Sequence, residues 1–416
     1  MDLDELNHWW TEKHVRPEFA PAKRRGLFHT VKKDIKRRQI QIIFGLRRVG
    51  KSTIFYQLID DLTKNGTDPL HIVYCNFDEP SLQDKRIEEL LKEYSKLTDI
   101  DYRKEKIYLF LDEAQKSKNW VADVKLLYDN LPNIKILVSG SASLNILSEA
   151  KKSLAGRAIY YELKPLSFSE FLELRGTAIE KKRFLLYREH LEKEFDKFLL
   201  RPFPELVAEK DKNFIKNYIR NSVIEPVILK DIPKEFKEVD VLLLEKLVNI
   251  FLTSPGQYLR VEDMAKELGR AKTTIYKTLF YLEFSFLIRR VLNFRPSIRV
   301  ASRKLSRVYA YHPALLIPFD VPEEKFVENL VLFELDARYY WREKEKEIDF
   351  LINSTPVEVK HKEKISKDDV RWIDFFLKKY GKSLNVNKAY IITKNIEGKI
   401  GRVYLVPLWQ LCFRGL

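Results

Sequence analysis

The sequence predicts a multidomain α/β protein whose first large domain is a parallel sheet that carries a phosphate-binding loop. Apolar runs alternate with amphipathic helical segments between residues 40 and 165, and these runs are apolar almost throughout, as strands covered on both faces are. A length of 416 residues exceeds one ordinary core and predicts several domains. We expect a basic N-terminal segment, the phosphate-loop core, a helical lid, a winged helix and a separate C-terminal α/β unit, at residues 1–39, 40–165, 166–240, 241–312 and 313–416.

The phosphate-binding loop follows the first predicted strand, residues 40–44, and the other strands are predicted at 71–77, 107–111, 134–138 and 158–163. The stretch GLRRVGKST matches G-x-x-x-x-G-K-[ST] between a strand and a helix. Its glycines allow the backbone N–H groups to face phosphate oxygens, Lys51 can reach the β- and γ-phosphates, and Ser52 can ligate Mg²⁺. The predicted nucleotide-binding residues here are Gly45, Leu46, Arg47, Arg48, Val49, Gly50, Lys51, Ser52 and Thr53.

Two further strands end in polar residues suited to the same site. Asp112 and Glu113 follow the strand at 107–111; we expect Asp112 to hold Mg²⁺ and Glu113 to orient or deprotonate the attacking water. The next strand ends in SGSAS, where the hydroxyl of Ser139 and those after it can contact the γ-phosphate or the water. For Ser143 a helix N-cap is an equally good interpretation.

Arg157 lies just before the fifth strand, at the rim of the predicted sheet. It cannot easily reach the nucleotide of its own subunit but could reach that of a neighbour as an arginine finger. The alternative is a surface cation beside a strand.

The charge balance favours a polyanionic partner. The formal net charge is +15, and ten Lys or Arg against one acid lie between residues 270 and 307. Residues 1–39 are also rich in Lys and Arg, which predicts either a solvated helix or an arm that follows a phosphate backbone.

The remaining composition excludes several classes of protein. No apolar run of 18 residues and no signal peptide are found, so we expect a cytoplasmic protein without a membrane partner. Cys75 and Cys412 are the only cysteines and are predicted to pack as small hydrophobes. Many Lys and Glu with few Met and Cys are typical of a thermophile.

Helices predicted at residues 242–253, 261–268 and 271–284, followed by a β-like run at 286–293, indicate a winged helix-turn-helix. Interdomain packing or dimerisation is the alternative use of such a module. The predicted DNA-contacting residues are Lys272, Thr273, Lys277, Arg289 and Arg290.

The C-terminal unit contains D-x₈-E-x-K, formed by Asp349, Glu358 and Lys360 on a predicted β-hairpin. Two carboxylates and the carbonyl of Val359 make an oxygen site for Mg²⁺ or Mn²⁺, with Glu328 as a further ligand, and Lys360 can activate the metal-bound water. A charged surface hairpin is the alternative.

The motifs GLRRVGKST, LFLDEAQ, SGSAS and LAGRAIYYELKPLSFSEFL, in this order, resemble P-loop ATPases of the AAA+ superfamily, in the group called "predicted ATPase". The resemblance implies an AAA+ type core, a helical lid, a winged helix-turn-helix and a restriction-endonuclease-like C-terminal domain. It also implies an ATPase that works as a ring or other oligomer with Arg157 in the finger position. The sequence Arg201-Pro202-Phe203 before Pro204 departs from the Gly-Gly pair usual in the group's lid, so no nucleotide contact is carried over there.

The C-terminal residues resemble the PD-(D/E)xK nuclease motif at Asp349, Glu358 and Lys360. Together these features predict an ATP-hydrolysing, DNA-processing ATPase coupled to a metal-dependent endonuclease. Action on branched DNA is implied only by a resemblance to archaeal junction resolvases. The alternatives are a signalling or defence NTPase with a non-catalytic C-terminal scaffold, and a winged-helix DNA-binding regulator.

Overall fold

The carboxyl ends of five parallel strands organise the N-terminal part of the chain. A computed structural model describes residues 2–117, 119–140, 150–177, 179–180, 182–236, 238–295 and 306–416. Contacts divide the chain into two units, Met1–Leu166 (unit 1) and Ser167–Leu416 (unit 2).

Unit 1 contains a five-stranded sheet of order β2-β3-β4-β1-β5 in which every neighbouring pair is parallel. The prediction of a parallel sheet is therefore confirmed. The strands are β1 Ile40–Phe44, β2 Ile72–Asn76, β3 Ile107–Asp112, β4 Ile134–Gly140 and β5 Ala158–Glu162. The α-helices are α1 Leu3–Leu6, α2 Trp9–Glu12, α3 Gly26–Asp34, α4 Lys51–Lys64, α5 Pro80–Gln83, α6 Ile87–Thr98, α7 Trp120–Asn130 and α8 Ala150–Ser153.

The N-terminal segment packs on the edge strand β2. The Asn7 side chain accepts a hydrogen bond from the backbone N–H of Tyr74 (2.7 Å) and donates one to its carbonyl (2.9 Å). The indoles of Trp9 and Trp10 both donate to the carbonyl of Ile72, and both rings are buried. Because an unpaired strand edge leaves polar backbone groups exposed, this segment completes the edge of the sheet. Residues 7–10 are therefore packed against the sheet.

Unit 2 begins with helices, as predicted for residues 166–240, and continues with the three helices predicted for the winged helix. The α-helices are α9 Phe168–Leu174, α10 Arg188–Leu200, α11 Lys212–Ile219, α12 Ile232–Glu235, α13 Val241–Thr253, α14 Val261–Glu267, α15 Lys272–Phe284, α16 Glu323–Glu334, α17 Arg371–Tyr380 and α18 Leu408–Arg414, with π-helical turns at Arg220–Ile224 and Val227–Asp231.

The described strands of unit 2 form one nine-stranded sheet of order β13-β14-β12-β11-β10-β9-β7-β8-β6. They are β6 Gln257–Tyr258, β7 Ile288–Asn293, β8 Arg307–Ala310, β9 Tyr339–Glu343, β10 Lys346–Ile352, β11 Thr355–Lys360, β12 Ala389–Thr393, β13 Gly398–Ile400 and β14 Val403–Pro407. Parallel pairing of β7 with β9 carries the sheet across the predicted boundary at residues 312 and 313. The sheet itself therefore shows no break between the predicted winged helix and the predicted C-terminal domain.

Both cysteines are buried with free thiols, and burial raises the pKa of Cys75 to about 12. They pack as small hydrophobes, as the sequence predicts. Within the described part of the chain, no helix combines the length and apolar character needed to cross a bilayer.

Candidate functional site

The predicted phosphate loop connects β1 to α4, and two of its glycines are required by its geometry. A Cβ atom on Gly45 would lie 2.2 Å from the carbonyl oxygen of Leu163, so no larger residue fits there. Gly50 has φ of 96° and forms the N-cap of α4, a conformation that favours glycine. Leu163 also donates its N–H to the carbonyl of Phe44 at 2.8 Å. The start of the loop is thus fixed against the chain that follows β5.

Lys51 is buried at the start of α4, with 5% of its surface exposed. Its Nζ donates to the carbonyls of Leu46 (3.0 Å) and Gly45 (3.3 Å) and lies 3.8 Å from Oε1 of Glu113. Ser52 and Thr53 follow in the first helical turn and are partly exposed. The two predicted groups of opposite charge therefore face each other across the site.

Asp112 ends β3 and is held by two hydroxyl groups. The phenol of Tyr74 donates to its Oδ2 at 2.7 Å, and the hydroxyl of Ser139 donates to its Oδ1. Burial and the nearby Asp112 carboxylate raise the pKa of Tyr74 well above its usual value, so the phenol keeps its proton. Strand register brings these groups together, because Tyr74 is paired with Phe110, two residues before Asp112, and Leu111 is paired with Val138, the residue before Ser139.

Glu113 has a left-handed backbone, with φ of 51° and ψ of 41°. Such a conformation costs a non-glycine residue about 1–2 kcal/mol and is concentrated at functional sites. Its N–H contacts Oγ of Ser139 (3.3 Å), and its Oε2 accepts a hydrogen bond from Gln115 at 2.6 Å. The strained backbone turns the carboxylate of Glu113 toward Lys51. The hydroxyls of Ser141 and Ser143, also predicted here, lie outside the described residues.

Arg157 lies at the amino ends of the strands, whereas the phosphate loop lies at their carboxyl ends. Its carbonyl accepts the N–H of Ile40 (2.8 Å), at the start of β1, whereas the loop follows the end of β1 after a strand of about 15 Å. Its guanidinium forms a two-point ion pair with Asp129 through Nε (2.7 Å) and Nη2 (3.1 Å). Within one subunit, Arg157 therefore does not reach the loop.

Three comparisons with known proteins bear on this arrangement. Residues 37–172 match a family model described as "AAA domain". We call residues 37–172 the AAA domain; they comprise most of unit 1 and the first residues of unit 2. Residues 193–319 match a model described as a domain of unknown function, DUF8612.

The AAA domain lies in a chain with uncharacterized relatives. Uncharacterized protein MJ1544 of Methanocaldococcus jannaschii is 27% identical over 406 residues, which cover 89% of this chain and 88% of the relative. Uncharacterized protein MJ1637 of the same organism is 28% identical, covering 67% of this chain and 63% of the relative. An uncharacterized protein of Haemophilus influenzae is 26% identical, covering 60% and 61%. The matches therefore span less than two thirds of the second and third relatives.

Solved structures similar to the chain include a DNA replication initiation factor, at 15% identity and a TM-score of 0.30, covering 65% of this chain and 92% of that one. Another is domain III of the Thermotoga maritima replication initiation protein DnaA, at 17% identity and a TM-score of 0.30, covering 50% and 99%. Scores of this size carry no inference about function or assembly.

Outside the AAA domain, the structure brings the D-x₈-E-x-K residues together. The N–H of Asp349 donates to Oε2 of Glu358 (3.2 Å), and Val359 donates to Oδ2 of Asp349 (2.9 Å). Nζ of Lys360 donates to Oε1 of Glu358 at 2.7 Å. We use the name acidic cluster for six residues: Asp349, Glu358, Lys360, Glu328, Glu347 and Arg307.

Arg307 occupies the middle of the acidic cluster, although the sequence places it in the basic segment expected to face DNA. It is 9% exposed, and its guanidinium lies 2.7 Å from Glu347, 3.1 Å from Glu328 and 3.8 Å from Asp349. Oε1 of Glu328 also accepts a hydrogen bond from the phenol of Tyr309 at 2.6 Å. Among the described residues, no group of three or more His, Cys, Asp or Glu is arranged to hold a metal ion. A metal here would therefore rely on Asp349, Glu358 and a backbone carbonyl.

Burial has a strong effect on the two motif carboxyls. It raises the pKa of Asp349 well above its usual value, and Glu358 and Glu328 add to the rise while Arg307 opposes it. Burial also raises the pKa of Glu358, against the opposing effect of Lys360. Two carboxylates so close together are costly to ionise without a nearby cation.

The predicted DNA-contacting residues divide into paired and exposed groups. Lys272 forms an ion pair with Glu262, Arg289 with Asp336 and Arg290 with Glu283. Thr273 and Lys277 are exposed on α15. Most of these cations are therefore already paired within unit 2.

Sequence reasoning missed Tyr74 and Gln115, which position the acids of the AAA domain. Tyr74 is one apolar-looking residue within a buried strand, and no spacing rule connects it to Asp112. Only the register of β2 beside β3 reveals the contact.

Proposed function

We propose that the AAA domain binds MgATP and hydrolyses it. The proposal rests on Nζ of Lys51 lying 3.8 Å from the carboxylate of Glu113, with Asp112 beside it at the carboxyl end of the sheet. Lys51 and the loop amides would bind the phosphates, and Glu113 would orient and deprotonate the attacking water. The proton leaves the water for the Glu113 carboxylate.

The donor set fits Mg²⁺. Ser52 offers a hydroxyl oxygen and Asp112 a carboxylate, which are the hard oxygen ligands this ion prefers. Oδ2 of Asp112 accepts one hydrogen bond, from Tyr74, and keeps a second lone pair for a metal-bound water. When bound, Mg²⁺ would neutralise charge that develops on the phosphates.

Lys51→Ala tests ATP binding directly. We expect the variant to lose detectable binding of ATP in isothermal titration calorimetry. Lys64→Ala serves as the control, because Lys64 ends the same helix, is exposed and forms an ion pair with Asp60. Equal affinities of Lys51→Ala and wild type would exclude the assigned site.

For Arg157 we propose action in a neighbouring subunit of a homo-oligomer, such as a ring. Two features support this role: Arg157 lies at the end of the strands opposite the loop of its own subunit, and its ion pair with Asp129 is exposed. Mixing an Arg157→Ala protein with a Lys51→Ala protein should restore part of the ATPase activity, since each supplies the residue that the other lacks. No recovery at any ratio would leave Arg157 a surface cation.

A second candidate activity is metal-dependent cleavage of DNA, branched DNA included, coupled to the ATPase. The observation that favours it is the approach of Asp349, Glu358 and Lys360. Their oxygen donors suit Mg²⁺ or Mn²⁺, which when bound would supply a nucleophilic water. Arg307 already lies beside these carboxylates, so a metal ion would bind in competition with its guanidinium.

Cleavage of linear, forked and four-way DNA in Mg²⁺ or Mn²⁺, with and without ATP, tests this activity. Asp349→Asn and Lys360→Ala should each lower cleavage by orders of magnitude and leave ATP hydrolysis unchanged. Glu363→Gln is the control, because Glu363 is an exposed carboxylate near the motif. ATP hydrolysis without cleavage of any DNA would favour the signalling or defence NTPase, and DNA binding without either activity would favour the regulator.

A further inference from the structure

A buried arginine of the N-terminal segment contacts the backbone of the phosphate loop. Arg25 occupies the N-cap position of α3, and its residue surface is 8% exposed. Its Nη1 donates to the carbonyls of Val49 (3.0 Å) and Lys164 (2.8 Å), and its Nη2 donates to that of Pro165 (3.2 Å). One guanidinium therefore joins the last turn of the loop to the segment after β5.

The contact with Val49 fixes the direction of one loop amide. A trans peptide is planar, so its C=O and N–H point in opposite directions. With the carbonyl of Val49 held by Arg25, the N–H of Gly50 in the same peptide points away from Arg25. Phosphate binding by such loops depends on backbone N–H groups that are held in a fixed direction.

The contacts with Lys164 and Pro165 strengthen the same arrangement. The residue before Lys164 is Leu163, and a Cβ atom on Gly45 would clash with its carbonyl oxygen. Arg25 thus holds the end of the loop against the segment that holds its beginning. The planar guanidinium is suited to this, because its donors are fixed in one plane and can serve several acceptors together.

We propose that Arg25 is a positioning residue for the phosphate loop and sets its affinity for the triphosphate. The proposal rests on the proposed function of the AAA domain. The contacts of Arg25 are with backbone carbonyls, so its proposed effect on the nucleotide passes through the Val49–Gly50 peptide. One cation of the basic N-terminal segment, Arg25, is thereby assigned to the ATP site.

The test is the dissociation constant of ATP for Arg25→Ala and Arg25→Lys, measured by calorimetry with the full chain. We expect each variant to bind ATP about tenfold more weakly or worse, since a hydrogen bond from a charged group is lost. Millimolar guanidinium should restore part of the affinity of Arg25→Ala, because the free ion can occupy the space left by the side chain. Arg24→Ala is the matched control: Arg24 pairs with Asp61 on α4 and should keep wild-type affinity.

The melting temperature without nucleotide separates positioning from folding. A weakened affinity in a variant that melts near the wild-type temperature, with rescue by guanidinium, supports the proposal. If Arg25→Ala does not fold, Arg25→Lys decides the question. Affinities of the Arg25 variants within about twofold of wild type, or a loss shared by Arg24→Ala, would overturn it. Failure of the wild type to bind ATP would instead overturn the proposed function together with this inference.

Discussion

The site of Lys51, Asp112 and Glu113 (the AAA site) has its carboxylates at the end of β3, whereas the acidic cluster has them within β10 and β11 and on α16, and the two compensate the charge differently. Asp112 is held by the neutral hydroxyls of Tyr74 and Ser139, which stabilise a carboxylate without cancelling its charge. In the acidic cluster, full charges lie beside the carboxylates, since Arg307 contacts Glu328 and Glu347. An acid held by hydroxyls remains available to a cationic ligand, whereas an acid paired with a guanidinium is already neutralised.

Two buried cations show the same difference. Lys135 in unit 1 donates to the carbonyls of Arg37 (2.8 Å) and Gln39 (2.6 Å), and burial lowers its pKa to about 8. Burial also disfavours the charge of Arg307, yet Tyr309 and the surrounding carboxylates raise its pKa above the usual value. A buried charge is thus favoured where several carboxylates surround it, and is disfavoured where burial outweighs the carbonyl dipoles and the one carboxylate, Asp34, that acts on Lys135.

The largest expected effect concerns Glu113→Gln in the AAA site. Loss of the general base should lower ATP turnover by about 10²–10⁴-fold, while ATP binding persists because the loop and Lys51 are intact. Steady-state phosphate release at saturating ATP measures the change. Glu88→Gln, at a partly exposed position of α6, is the control. Turnover at the wild-type rate would show that Glu113 is not the base.

The next effect concerns the charge balance of the acidic cluster. Arg307→Met should destabilise the neighbouring structure by about 3–5 kcal/mol near neutral pH, because Glu328 and Glu347 lose their buried partner. Hydrogen exchange of peptides from β8, β10 and β11 measures this loss of local stability. Arg342→Met removes a more exposed partner of Glu347 at 3.8 Å and should cost about 1 kcal/mol or less. A loss no larger than that of Arg342→Met would mean that the cluster does not need Arg307.

A pH series tests the buried cation of unit 1, Lys135. The folded pKa of Lys135, about 8, lies below its ordinary value of 10.5, so between these values the unfolded chain binds more protons. The free energy of unfolding should therefore rise with pH across this window, by up to about 3 kcal/mol, and Lys135→Met should lack the rise.

Pulse proteolysis in urea, at about pH 7 and about pH 10, follows the folded fraction of residues 2–166. Lys125→Met, at an exposed position of α7, should keep the wild-type dependence. The interpretation fails if the Lys135→Met variant gains as much stability with pH as the wild type does.

The smallest effect separates exposed from paired cations in DNA binding. Lys277→Ala should reduce the slope of log K against log[salt] by about one, since an exposed lysine can release a counterion on contact with phosphate. Arg290→Ala should change the slope less, because Arg290 already forms two hydrogen bonds with Glu283 at 2.6 Å. Fluorescence anisotropy with a duplex of fixed length measures both slopes. Equal reductions by the two variants would show that internal pairing does not withhold a cation from DNA.

Local pattern determined the phosphate loop and the strands on either side of it. The spacing of Gly45, Gly50 and Lys51 and the apolar run before Asp112 are enough to place these residues, because loop geometry and strand burial depend on near neighbours in the chain. The hairpin of Asp349 and Glu358 followed from period two in the same way.

Tertiary structure decided which distant groups compensate the charges. The sequence offered no link between Tyr74 and Asp112, between Arg25 and Val49, or between Arg307 and Glu328, which lie 38, 24 and 21 residues apart. Arg307 was counted in the basic segment that favoured a polyanionic partner, and it lies buried among carboxylates. Composition counts charges but cannot assign partners, because a buried ion takes its partner from whichever strands and helices the fold brings alongside it.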